Sequence, residues 1–165
     1  MIDNVKRLVV GSVCMACVMF VARGAEGPWQ VVTINQVSWV GNLKGGAEFE
    51  VHIEAKKPKG SRAEYFGAVE QPESVVSEIT VKIEGRKISF PKPAFEDLAN
   101  PLLQTMSVTS QPTGEVKLRF LGGNSAATFE VEYLIESARL TQRTLKYFEG
   151  GAGAEKHEVV KTTTF

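Results

Sequence analysis

Apolar and polar residues alternate along much of the chain after residue 28. In residues 47–55, AEFEVHIEA, the side chains of Phe49, Val51 and Ile53 fall on one face and polar side chains on the other. This period of two is typical of a half-buried β-strand. Further stretches with strand character are 29–40, 75–83, 86–90, 115–121, 127–136, 139–148 and 156–165. The sequence therefore predicts about eight strands.

Two of the connections are short enough to fix a register. A two-residue turn at Glu84-Gly85 would pair Val81 with Ile88 and Ile79 with Phe90, and the four apolar side chains then share one face. We expect a β-hairpin there.

The second tight connection lies at residues 137–138. It would place Ile135 opposite Leu140 and Glu132 opposite Arg143. Beyond Leu140 the apolar positions change phase along the strand, which predicts a β-bulge or a change of register at that point.

Residues 91–101, PKPAFEDLANP, interrupt the alternation. Phe95, Leu98 and Leu102 have helical spacing, and prolines stand at 93 and 101. We expect one short helix or helical turn that covers an end of the core. The single aspartate of this stretch, Asp97, is expected to cap that helix or accept a hydrogen bond there.

These elements follow one another as hairpins, with no alternation of strands and long helices. The pattern predicts an all-β fold, an antiparallel sandwich or partly closed barrel of about eight strands with one short helix. We expect a single domain over residues 25–165, a length that can bury a substantial core.

The first segment has the features of a secretory signal peptide. Lys6 and Arg7 precede an uncharged apolar run over residues 8–22, which is shorter than a typical membrane-spanning helix. Cleavage after Gly24 puts small residues, Ala22 and Gly24, at the two positions that signal peptidase recognises. We expect residues 1–24 to be removed.

The two cysteines, Cys14 and Cys17, lie inside this segment, so the mature chain would contain none. Lipid attachment at Cys17 is the alternative and would tether the protein to a membrane. The usual leucine three positions before the modified cysteine is absent, and the apolar run continues beyond Cys17. Removal of the whole segment fits these features better.

Composition limits the classes of partner. Loss of Lys6, Arg7, Arg23 and Asp3 from 19 basic and 19 acidic side chains leaves 16 basic and 18 acidic. No basic excess is available to attract nucleic acid. An exported domain without cysteines or glycosylation sequons is more typical of bacteria, so we expect a periplasmic, cell-surface or secreted protein.

A polar face of the strand over residues 47–55 supplies the candidate site residues. Glu50, His52 and Glu54 alternate on one face, and His157 in the last strand would join them if the two strands were neighbours. A zinc site normally needs more His or Cys ligands than this. Calcium loops need several clustered acidic or amide side chains, and Asp97 is the one aspartate that remains after cleavage. The sequence predicts no metal and no cofactor.

No catalytic motif accompanies these residues. The chain lacks G-x-S-x-G, and residues 122–125, GGNS, are followed by a strand pattern, which favours a hairpin loop over a phosphate cradle. The sequence favours a non-enzymatic binding protein, an accessory or inhibitor subunit, with a protein or cell-envelope or glycan partner. Two alternatives are a small exported hydrolase with a Glu/His site and, from the aromatic Phe165 after a strand pattern, a small outer-membrane barrel.

Overall fold

The computed structural model of the protein describes residues 29–59, 65–68, 71–111, 113–124, 127–149 and 157–165. The predicted signal peptide and both cysteines lie outside these residues. Within the described ranges, no helix has the length and apolar character needed to cross a membrane.

Ten described strands form two antiparallel five-stranded sheets. The first sheet contains β1 (Trp29–Thr33), β2 (Gln36–Asn42), β3 (Glu48–Lys56), β4 (Val75–Ile83) and β5 (Arg86–Ile88). The second contains β6 (Pro101–Ser110), β7 (Val116–Gly123), β8 (Thr128–Glu136), β9 (Arg139–Glu149) and β10 (His157–Thr164). In each sheet the strands lie in the order of the sequence, so each is a simple meander. The predicted all-β antiparallel sandwich is confirmed, and the sheets do not close into a barrel.

The core lies between the two sheets, where the alternating apolar positions of both meet. Its largest buried side chains come from both sheets and from the connection between them: Phe49, Ile53, Ile88, Leu98, Leu103, Leu118, Phe120, Tyr133, Ile135 and Leu145. The strands β1 and β6 lie beside each other at one side of the sandwich. There the backbone N–H of Lys44 donates to Ser110 Oγ at 2.7 Å.

Two features raise the number of strands from the predicted eight to ten. Residues 29–40 are not one strand, because the chain turns at Ile34 and Asn35 and returns as β2. The sequence did not indicate this turn because Ile34 is apolar and continues the strand pattern, although its side chain is 87% exposed. The second feature is β6, which begins at Pro101. Proline is tolerated there because it opens an edge strand.

The predicted helix is a single 3-10 turn over Lys92–Ala94, which supplies the one described helical element. The helical spacing that suggested more was misleading at Leu102, which lies in β6 and is 37% exposed, whereas Leu103 is fully buried. The connection between the sheets, residues 89–100, nevertheless covers the core as expected, since Phe95 and Leu98 are buried.

The hairpin at Glu84 and Gly85 is confirmed in its central pairs, with Val81 opposite Ile88. Both turn residues have positive φ angles, 51° and 73°, as a tight hairpin turn requires. The predicted pair of Ile79 with Phe90 is wrong because β5 ends at Ile88. Beyond it, the Phe90 ring packs against Tyr133 with a centroid distance of 5.3 Å.

The bulge predicted near Leu140 is confirmed. Ile135 faces Leu140, the next pair is Leu134 with Gln142, and one residue of β9 is skipped. Because of this extra residue, Arg143 lies opposite Tyr133 rather than Glu132. The predicted pair of Glu132 with Arg143 is therefore wrong, and Arg143 turns to the inner face of the sheet.

Candidate functional site

The outer face of the first sheet carries the polar residues that the sequence pattern singled out. The burial of β3 alternates along its length, so Glu50, His52 and Glu54 share the outer face as predicted. Strands β2 and β4 flank β3, and His52 lies opposite Ser38 on one side and Thr80 on the other. The histidine thus lies on the central strand of the sheet, between β2 and β4.

Both ring nitrogens of His52 contact side chains of β2. Nδ1 lies 2.8 Å from Ser38 Oγ, and Nε2 lies 3.4 Å from the amide nitrogen of Gln36. Ser38 and His52 are within hydrogen-bond distance of each other, and which of the two donates depends on the tautomer of the ring. An activated serine also needs a third group that orients its base, and the side chain that contacts Nε2 is the Gln36 amide and not a carboxylate.

The two carboxylates beside His52 are engaged by lysines. Glu50 pairs with Lys82 at 2.7 Å, and Glu54 pairs with Lys56 at 2.9 Å. The hydrogen bond from Lys56 to Glu54 raises the pKa of that lysine above its ordinary value. Each carboxylate therefore already has a cationic partner on the same sheet face.

The structure does not bring the strands of His52 and His157 together. β3 has β2 and β4 as neighbours in the first sheet, whereas β10 pairs with β9 in the second. The side chain of His157 lies outside the described residues. Within the described part of the chain, no group of three or more His, Cys, Asp or Glu side chains is placed to hold a metal ion.

A buried polar cluster that the sequence did not reveal lies at the opposite sheet. Arg143 donates from Nη1 to Asp97 Oδ1 at 2.7 Å and from Nη2 to Asp97 Oδ2 at 2.9 Å, a bidentate ion pair. Its side chain is only 3% exposed. Arg143 Nη1 and the Tyr133 hydroxyl also donate to the carbonyl oxygen of Ala94, at 3.1 and 2.8 Å.

This cluster ties the connection between the sheets to β8 and β9. Asp97 does accept hydrogen bonds as expected, but from Arg143 and not as the cap of a helix. The bulge is the cause, since it gives Arg143 the same orientation as Leu145 and Tyr147. The shared orientation follows from the sequence, where Arg143, Leu145 and Tyr147 occupy every second position and therefore lie on one face of the strand. The charged groups of the cluster bond to each other and to the Ala94 carbonyl, which indicates a structural role.

The loop over residues 122–125 connects two strands, as predicted. β7 ends at Gly123 and β8 begins at Thr128. The Asn124 side-chain oxygen accepts a hydrogen bond from the Ala127 N–H at 3.0 Å. The described part of this loop is a hairpin connection and not the start of a helix.

The edge of the second sheet at β10 is the longest regular strand edge that the described residues leave without a neighbour. β10 has eight residues and pairs only with β9 among the described strands. By contrast, β5 has three residues, and β6 is interrupted by an irregular register between Leu102 and Ser107. β1 is shorter and lies beside β6.

No protein family model, no curated protein and no solved structure matches this chain.

Proposed function

We propose that the protein is an exported, non-enzymatic binding protein of the cell envelope that holds an extended segment of a partner protein along the edge of β10. It would act as an accessory or inhibitory subunit. The backbone edge of β10, which no other described strand covers, carries the proposal. An extended peptide can add to such an edge as a further strand, with main-chain hydrogen bonds that supply affinity.

The composition of β10 supports this role. Its sequence, HEVVKTTT, consists mostly of β-branched residues, which favour an extended backbone in a pleated sheet. Val160 is 53% exposed on the outer face. Edge strands are commonly protected by proline, by bulges or by a covering segment. β10 has no proline, and its pairing with β9 runs without a register shift over all eight residues.

A backbone test separates edge binding from binding elsewhere. The Phe165 N–H donates to the Thr141 carbonyl of β9, and every second residue of an antiparallel strand bonds to the same neighbour, so the Val160 N–H points away from β9. Val160→Pro therefore removes a donor that only an added strand would use. Val160→Thr keeps that donor and the β-branched shape and is the matched control.

Immobilised wild-type protein should retain a partner from the envelope fraction of its host cells, and so should Val160→Thr, whereas Val160→Pro should not. Circular dichroism and thermal unfolding verify that both variants fold. Retention by Val160→Pro at the wild-type level, or no retained protein at all, would refute the proposal.

Export is the second part of the proposal and rests on the pattern of residues 1–24. The intact mass of the protein recovered from its host should correspond to a chain that begins at Ala25, in a soluble fraction. A mass that begins at Cys17 with added acyl chains, in a membrane fraction, would replace this expectation with a tethered lipoprotein.

The hydrolase alternative is favoured by one observation, the 2.8 Å contact between Ser38 and His52. The rest of the geometry opposes it, because an amide and not a carboxylate faces the second ring nitrogen, and both flanking glutamates are paired with lysines. A fluorophosphonate, which labels activated serines, should leave Ser38 unmodified. Labelling that disappears in His52→Ala would favour the hydrolase instead.

A further inference from the structure

The phase of the β9–β10 ladder determines which backbone groups of β10 are available to a partner. The N–H of Phe165 donates to the Thr141 carbonyl at 3.0 Å. In an antiparallel ladder, every second residue exchanges its hydrogen bonds with the neighbouring strand. The odd-numbered residues of β10 therefore bond to β9. The even-numbered residues, Glu158, Val160, Thr162 and Thr164, point their N–H and C=O groups outward.

The same alternation places Lys161 in the row of side chains on the inner face of the sheet. Lys161 lies opposite Leu145 on β9, and its row continues with Val159 and Thr163. Its ammonium nitrogen lies 5.4 Å from the centroid of the Phe66 ring. No carboxylate of the described residues forms an ion pair with Lys161.

We propose that the segment bound along β10 belongs to a different protein and carries a carboxylate side chain opposite Lys161. This inference rests on the proposed edge binding and specifies its partner. A strand added to β10 places one side chain directly across from Lys161, on the same face. There it meets the exposed ammonium of Lys161, which lies over the Phe66 ring and has no carboxylate partner among the described residues, so an acidic residue is favoured and a basic one is opposed.

A second copy of this chain does not supply that carboxylate. Directly opposed residues of paired strands share a face, and Glu158, the acidic residue of β10, lies on the opposite face from Lys161. Two copies could pair through their β10 strands in antiparallel orientation. The register that forms the most hydrogen bonds between their outward-pointing backbone groups places Lys161 of one copy directly opposite Lys161 of the other. Like charges directly opposed destabilise such a pair. The lysine thus disfavours self-association and still admits an acidic strand.

The test uses two synthetic peptides that differ at one position. Each alternates threonine and valine around a central glutamate or a central lysine, with alternate backbone nitrogens methylated so that only one edge can pair. Titration of the folded protein, followed by amide NMR shifts, gives the affinity and locates the binding at β10. The glutamate peptide should bind about tenfold more tightly than the lysine peptide.

Three variants make the result specific. Lys161→Glu should reverse the preference, whereas Lys87→Glu, which changes an exposed lysine of β5, should leave it unchanged. Val160→Pro should abolish the binding of both peptides.

The outcomes separate this inference from the function on which it rests. Equal affinity for the two peptides, with binding still lost in Val160→Pro, overturns the charge preference and leaves edge binding intact. Binding that Val160→Pro does not affect overturns both. Sedimentation of the wild-type protein as a dimer that Val160→Pro dissociates shows that a second copy occupies the edge and refutes the proposed partner.

Discussion

The ion pair of Asp97 with Arg143 allows a quantitative test of what holds the connection between the sheets to β9. Asp97→Ala removes the carboxylate and leaves the guanidinium, 3% exposed, without its anionic partner. Breaking a buried ion pair by removal of one member typically costs about 3–5 kcal/mol. Asp97 itself is 14% exposed, and Arg143 keeps its bond to the Ala94 carbonyl, so we expect about 3 kcal/mol. That is a large share of a typical domain stability of about 5–15 kcal/mol.

A double-mutant cycle separates the ion pair from the packing of its members. Arg143→Met removes the charge, along with an Nε that is buried without a hydrogen-bond partner, and keeps an apolar chain in its place. The double variant of Asp97→Ala and Arg143→Met should be less destabilised than the sum of the single variants by about 2 kcal/mol. The assay is equilibrium unfolding in urea, followed by tryptophan fluorescence, with Trp39 packed against Phe49 as one reporter.

Two results would refute this reasoning. A loss below about 1 kcal/mol in Asp97→Ala would mean that the pair contributes no more than an exposed salt bridge. Additivity of the single variants within about 0.5 kcal/mol would mean that the two side chains are not energetically coupled.

Three further stability predictions follow from other described residues. Burial raises the pKa of Tyr133 above its ordinary value of 10.0. The unfolded chain therefore loses this proton first, and the free energy of unfolding falls above about pH 10 by up to about 1.4 kcal/mol per pH unit. Urea titrations at several alkaline pH values should show a shallower fall in Tyr133→Phe, and equal slopes would contradict the assignment. Gly67 has a φ of 83°, and a Cβ there would lie 2.6 Å from the Phe129 ring, so Gly67→Ala should lower the free energy of unfolding by more than about 1 kcal/mol. Ser137 and Ala138 both have positive φ, 49° and 57°, so combined Ser137→Asn and Ala138→Gly should raise the melting temperature, and an unchanged or lower value would speak against turn strain.

The features that the sequence predicted correctly are local. The outer face of β3 follows from strict alternation over nine residues, and the turn at Glu84-Gly85 follows from the two apolar patterns that it joins. A strand with one buried face admits a single register, because a slip of one residue would expose all its apolar side chains. The bulge near Leu140 was predictable for the same reason, since the apolar positions change phase there.

The features that the sequence missed depend on contacts between distant segments. The turn at Ile34 was hidden because its residue is apolar, and its neighbour Asn35 is held by a bond from the Ala55 N–H to the Asn35 carbonyl. In β6, the irregular register near Leu102 is bridged by Thr105, whose hydroxyl donates to the Leu102 carbonyl and accepts the Leu121 N–H. Such substitutes for ladder hydrogen bonds cannot be inferred from periodicity.

In the candidate site, too, the sequence predicted the local arrangement but not the contacts between strands. Glu50, His52 and Glu54 were placed correctly on one face, but their partners, Ser38 and Lys82, come from neighbouring strands that periodicity does not identify. The edge of β10 depends on which strand lies at the end of the second sheet, and only the order of the strands decides that.

The order of the strands has a consequence for how the chain can be divided. Each sheet is formed by consecutive strands, so residues 29–88 and 101–165 each contain one complete sheet, and the connection over residues 89–100 is the one covalent link between the described sheets. A break between Ile88 and Lys92 would sever no ladder hydrogen bond and would leave the backbone hydrogen bonds of residues 97–100 to residues 66 and 74–76 as a contact between the two halves. Each half would still expose the apolar face that the other covers, so the halves should remain soluble and ordered only when produced together. The protein is therefore a natural candidate for reconstitution from two fragments.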